Sequence, residues 1–256
     1  MAAAGGDGGT PDDGGAGTRP GDAWVYESLV GILPGVTASS RVAVAIQFVG
    51  FEAVVLVLGF VYGRPLATLA GTVAVGVAAA GSALMLHLGE RIRSISKPEP
   101  YPRLLFGSQI EVVLGVFAFV AVVTHLFVYD PRVSDESLLT ALLGDRPALP
   151  AVYVALVIVW DLTYRIGTGW WAAVVACWRS YRFEFDPATT AAFRRIDGLN
   201  ALFGVLQLAL VPFVWDRPVL RFAVVGHVVA VLLVTGASVW LLGRGDGASV
   251  PEIGDG

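Results

Sequence analysis

Six predominantly apolar runs, 42–62, 66–88, 110–129, 151–171, 199–215 and 220–243, constrain this chain more than any other feature. Each holds about 20 residues, the length at which an α-helix crosses the ~30 Å hydrocarbon layer of a bilayer. Lipid offers no hydrogen-bond partner to bare backbone, and the runs lack the alternation of barrel strands, so helices are expected. Composition points the same way. The chain is 55% hydrophobic and 15% charged, with a mean hydropathy of +0.71, whereas soluble domains carry about 25% charged residues. The expected fold is all-α: a polytopic membrane bundle of six transmembrane helices over 42–243. Such a chain has no room for a large soluble catalytic domain. It also lacks a phosphate-cradling glycine loop, a His-Glu-x-x-His pair and a cysteine pair. The single Cys177 excludes an intramolecular disulfide. No catalytic residue, metal ligand set or cofactor is expected. The expected partner is the lipid bilayer and not nucleic acid.

Orientation follows from the basic residues. Six spans put both termini on one side, which would carry eleven basic residues against five on the other. By the positive-inside rule both termini are expected in the cytoplasm, with the protein in the cell membrane. Residues 1–22 are rich in Gly and Asp and read as a disordered tail, as do 244–256. Nothing in 1–22 resembles the apolar core of a secretory signal. Residues 23–34, opening at Trp24 and stopped by Pro34-Gly35, suit a short interfacial helix. In the 130–149 loop, Ser134 is expected to cap a short leucine-rich helix that Gly144 ends. That helix would rest on the surface of the bundle or serve as a lid over a cavity. Asp186-Pro187 reads as a helix start. Arg194 and Arg195 beyond it lie where they attract anionic lipid headgroups. The sequence leaves the oligomeric state open.

Three spans end alike, in Phe60-Val-Tyr-Gly-Arg-Pro65, Phe127-Val-Tyr-Asp-Pro-Arg132 and Phe213-Val-Trp-Asp-Arg-Pro218. Either all three meet one boundary requirement, aromatic rings followed by charge and a helix stop, or the chain holds three copies of a hairpin. The glycine pairs Gly71/Gly81 and Gly226/Gly236 strengthen the likeness of the first and last hairpins.

Charge inside an apolar run is costly and has to face the bundle. Glu52 sits mid-way along the first run, and Asp161 and Arg165 lie near the middle of the fourth, within WDLTYRIGTGWW. Asp161 and Arg165 are four apart and share a helical face, which Tyr164 and Thr168 flank. Depth matching puts Glu52 level with them, so Arg165 is expected to bridge Asp161 and Glu52. Two readings of this Glu52/Asp161/Arg165 cluster stand. In one, the surplus carboxyl is a proton or cation site in a transporter of ions or small solutes. In the other, the cluster is an interhelical clasp in a non-catalytic scaffold or accessory subunit. Gln47, Asn200, Gln207 and His227, with Tyr164 and Thr168, are candidates to line a polar path or to bond across helices. Gly167 and Gly169 are expected to let another helix approach, with the small-residue second run as the neighbour. Trp170, Trp171 and Trp178 mark the cytoplasmic aromatic belt, and whether the helix continues past 171 is open.

WVYESLVG, PEPYPRLLFGS, WDLTYRIGTGWW and FDPATTAAFRR, about a sixth of the chain, resemble a group of six-span membrane proteins of halophilic archaea. The resemblance implies an archaeal cytoplasmic membrane. The group carries no assigned activity, so no functional residue transfers from it.

Overall fold

A computed structural model of the chain describes Trp24 and residues 40–245. The expected tail 1–22, the interfacial helix over 23–34 apart from Trp24, and the tail beyond 245 lie outside the described residues. All regular structure among the described residues is helical. In chain order the helices are α1 (Ser40–Tyr62), α2 (Pro65–Ser94), α3 (Pro100–Gly107), α4 (Ile110–Thr124), α5 (Asp130–Val133), α6 (Leu138–Leu143), α7 (Leu149–Arg182), α8 (Pro187–Leu206) and α9 (Pro218–Gly245). A π-helical turn, His125–Tyr129, joins α4 to α5, and a 3-10 segment, Gln207–Val214, prolongs α8. Six helical units are long and apolar enough to cross a membrane. The chain is therefore a multi-pass membrane protein. Its outward faces carry exposed apolar side chains such as Phe60, Phe117 and Phe222, which lipid tails accommodate without penalty.

Prolines open many of these helices. Pro65, Pro150 and Pro187 each lie in a first turn, where the missing N–H costs no hydrogen bond. Asp186 caps α8 by accepting from the backbone N–H of Ala188 and Thr189, both at 3.0 Å. Hydrogen bonds from Thr189, its side chain first and its backbone N–H next, hold the carboxyl below the usual carboxylate range. The short helix of the 130–149 loop starts later than expected. Ser137, not Ser134, caps it, accepting from the Thr140 N–H at 3.1 Å. Ser134 instead donates to Asp130 at 2.8 Å. Gly144 ends α6 with φ +88°, a conformation that suits glycine.

The two ends of the bundle differ in packing. At the end holding the α2–α3 and α7–α8 connections, here the basic end, Leu88, Tyr101, Leu105, Phe106, Val175 and Phe193 form a dense buried cluster. Trp24 belongs to this cluster. It is 2% exposed and stands edge-on to Phe106 at 4.8 Å, so it is a core residue. The fourth span does not bend at its tryptophans: α7 runs unbroken to Arg182. Trp171 donates its indole N–H to the Leu104 carbonyl of α3 at 3.3 Å, which docks α3 on α7 rather than facing headgroups.

Small residues set the closest approaches. A Cβ on Gly167 would lie 3.0 Å from the Gly115 nitrogen, so α7 and α4 meet backbone to backbone. The neighbour at Gly167 is thus the third span, not the expected second. The second span meets α7 at Gly81, where a Cβ would lie 2.7 Å from the Phe203 ring and 3.1 Å from the Arg165 Cβ. Gly71 accommodates Val55, whereas Gly226 and Gly236 face open space. The two glycine pairs that suggested a repeat therefore do different work.

Candidate functional site

α1 brings Glu52 to α2, where the Thr72 hydroxyl donates to its Oε1 at 2.7 Å. The other carboxylate oxygen is buried without a hydrogen-bond partner. On α7, Arg165 Nη2 meets Asp161 Oδ1 at 3.0 Å, with side chains 3% and 15% exposed. The three-residue bridge expected from the sequence does not form, since Glu52 makes no ion pair among the described residues. The reason is local. Arg165 finds an acid four residues away on its own helix, and Glu52 finds a neutral donor one helix over.

The polar residues expected around the cluster divide. Gln47, Ser82 and Asp161 border one gap of ≈ 20 Å³. Ser82, Tyr164, Arg165 and Thr168 border a second of ≈ 20 Å³. Each has room for about one water molecule. Thr168 donates its hydroxyl back to the Tyr164 carbonyl at 2.8 Å. Asn200 lies deeper towards the basic end. Its amide donates to the Gly169 carbonyl at 2.9 Å, tying α8 to α7. Gln207 is buried in the 3-10 segment, and His227 on α9 lies against Trp170 with ring centroids 6.1 Å apart.

Towards the other end, here the lid end, the bundle opens. A cavity of ≈ 430 Å³ lies between the helical units, with α6 over it. The α7 residues along it, from 151 to 166 at steps of three and four, form one apolar stripe. Fifteen residues of rise make that stripe about 22 Å long. The floor includes Val55, Gly71 and Ile158, and Ile158 also borders the gap beside Asp161. The lid is tied down from outside. Asp130 accepts from the Leu138 N–H, and pairs with Arg217 at 3.0 Å. Arg217 also donates to the Glu136 carbonyl. On the other side the Arg64 guanidinium lies against Gly144.

Sequence reasoning missed a second charged cluster. Arg179 of α7 and Asp197 of α8 pair at 2.7 Å, with side chains 0% and 1% exposed. Ser238 of α9 donates to the same Asp197 oxygen at 2.7 Å. The Arg179 guanidinium lies 3.9 Å from the Phe193 ring centroid. Three helices are thus pinned at the basic end. Glu111, at the start of α4, was missed too; it is fully buried and neither carboxylate oxygen has a hydrogen-bond partner. A signal for Asp197 exists in the sequence. The polar residues Thr190, Asp197 and Asn200 of α8 and Gln207 of the 3-10 segment, with Phe193 and Gly204, keep a three-four spacing that runs past the apolar core of the span.

A family model described as a family of unknown function, DUF7530, matches residues 19–238. No curated protein and no solved structure matches the chain.

Proposed function

The chain belongs to the DUF7530 family, whose function is unknown, and we propose that it moves an ion or small solute across the membrane. The cavity is the entrance and the Asp161–Arg165 pair with Glu52 is the polar station beneath its floor. The observation that supports this is the asymmetry of the bundle: a ≈ 430 Å³ cavity at one end and a dense aromatic and aliphatic cluster at the other. Ligand sites in proteins run to about 300–1,000 Å³. The water-sized gaps beside Asp161 and Arg165 continue from Ile158 at the floor towards Trp24. The excess of basic residues at the opposite end favours the lid end as the outer one, so in this form the cavity lies in the outer half beneath α6 and the inner half is shut. At the inner face, exposed Arg195 is placed for anionic headgroups.

Purified protein in proteoliposomes tests this through proton and sodium flux. Glu52→Gln keeps an acceptor for the Thr72 hydroxyl, and Asp161→Asn keeps one for Arg165. Glu52→Gln should leave the fold intact, whereas Asp161→Asn strands the buried Arg165 charge and is compared at matched expression and melting temperature; each is expected to lower flux about tenfold or more. Flux that survives both substitutions would overturn the role given to the cluster. The second reading, a scaffold or accessory subunit, is favoured by one observation. Arg179, Asp197 and Ser238 form a buried connection across three helices, and Asp197 borders a gap of only ≈ 10 Å³. A scaffold would show no flux in either wild type or variants.

A further inference from the structure

We propose that the cavity at the lid end binds a single anionic amphiphile, its hydrocarbon chain along α7 and its head at Arg64 and Arg146. The inference rests on the reading above only in that the cavity admits a molecule; binding does not require transport.

The shape comes first. One face of α7 lines the cavity for about 22 Å, and its walls are Leu, Val, Ile and Ala with few polar positions. Two of those positions are polar in name only. The Thr163 hydroxyl donates to the Val159 and Trp160 carbonyls at 2.9 and 3.0 Å. The Thr68 hydroxyl donates to the Arg64 carbonyl at 2.9 Å. Both hydroxyl protons are therefore used within the helices and are not offered to the space. A long apolar slot suits a hydrocarbon chain.

The polar handles that remain, Tyr62, Arg64 and Arg146, all belong to the lid end. Neither arginine has an ion-pair partner among the described residues, and no acidic side chain lines the cavity. Two uncompensated guanidiniums beside an apolar slot select an anionic head, because a carboxylate or phosphate accepts their N–H groups in bidentate fashion. A cationic or neutral head of equal chain length gains nothing there. The position matches that of a lipid headgroup: charge at the boundary, tail in the hydrocarbon layer. Free fatty acids and membrane lipids share this chemistry.

Full-length protein in nanodiscs of neutral phosphatidylcholine, titrated with radiolabelled palmitate, tests the proposal. Saturable binding of one palmitate per chain is expected, matched by hexadecyl phosphate. Hexadecanol, hexadecyltrimethylammonium and inorganic phosphate should each compete about tenfold less well or worse. The double variant Arg64→Ala/Arg146→Ala should lose that preference for anions while keeping its affinity for hexadecanol and its melting temperature. Ala151→Trp, which fills the slot, should abolish saturable binding of every chain. Competition by phosphatidylglycerol in the nanodisc would assign the amphiphile to the bilayer; its failure would assign it to a free fatty acid. Non-saturable uptake, or equal binding of palmitate and hexadecanol in wild type and double variant, would overturn the proposal. Flux without palmitate binding sinks this inference and leaves the transport reading standing. Binding without flux does the reverse.

Discussion

Two ion pairs show how burial decides what a charge contributes. Arg103 and Glu99 pair at 2.6 Å with both side chains more than three-quarters exposed. Such surface pairs contribute about 0–1 kcal/mol, so Glu99→Gln should leave the melting temperature unchanged. Arg179 and Asp197 are closed off from solvent. Removing one partner leaves the other charge buried and uncompensated, which costs about 3–5 kcal/mol. Asp197→Ala is therefore expected to lower the melting temperature in detergent sharply. Asp197→Ala combined with Arg179→Met should recover part of the loss, since no charge is then stranded. Equal melting temperatures for Asp197→Ala and wild type would show that the pair does not hold α7, α8 and α9 together. The sequence made Asp161 and Arg165 conspicuous because they interrupt an apolar run. Arg179 and Asp197 stayed hidden because they follow one run and precede another, where charge is ordinary.

At the scale of elements, the legible part was what hydropathy controls: the number of long helices and their approximate centres. Their ends were not legible. α7 continues eleven residues past 171, and α8 begins twelve before 199. Both extensions are held by packing against α3 and by the Asp186 cap rather than by lipid. Contact partners were harder still, since a glycine announces that something comes close but not which helix does. Gly167 and Gly226 separate the cases. Gly167→Ala would push its Cβ to 3.0 Å from backbone of α4, where neither side can give way, and about 1–3 kcal/mol of destabilisation is expected. Gly226→Ala meets nothing within 4 Å on α9 and should be neutral or gain up to about 1 kcal/mol from helix propensity. Thermal melts of the two variants side by side decide it. A stable Gly167→Ala would mean that α4 and α7 are not packed through that glycine.

For the whole molecule, direction in the membrane and closure of the lid end are the quantities to measure. A reporter fused after the last helix should behave as cytoplasmic, following the distribution of arginine. A fusion that reports the opposite side would turn the cavity to face the cytoplasm. The lid is held through Arg217, which contacts both Asp130 and the Glu136 carbonyl. Arg217→Ala should free α6 without disturbing the basic end. A cysteine placed at 142 would then react faster with a water-soluble maleimide than in the parent protein, against the same background from half-buried Cys177. An unchanged rate would show that the clasp does not restrain α6. Trp24 carries a consequence of another kind, one of timing. It leaves the ribosome before any of the six spans, yet its resting place is built with Phe106, Phe193 and Ile196. Until the fifth span has been inserted, the indole has no completed site, and a nascent chain halted before about residue 190 would have to keep it waiting among lipids or chaperones. The first part of the bundle to be synthesised is thus among the last to be finished.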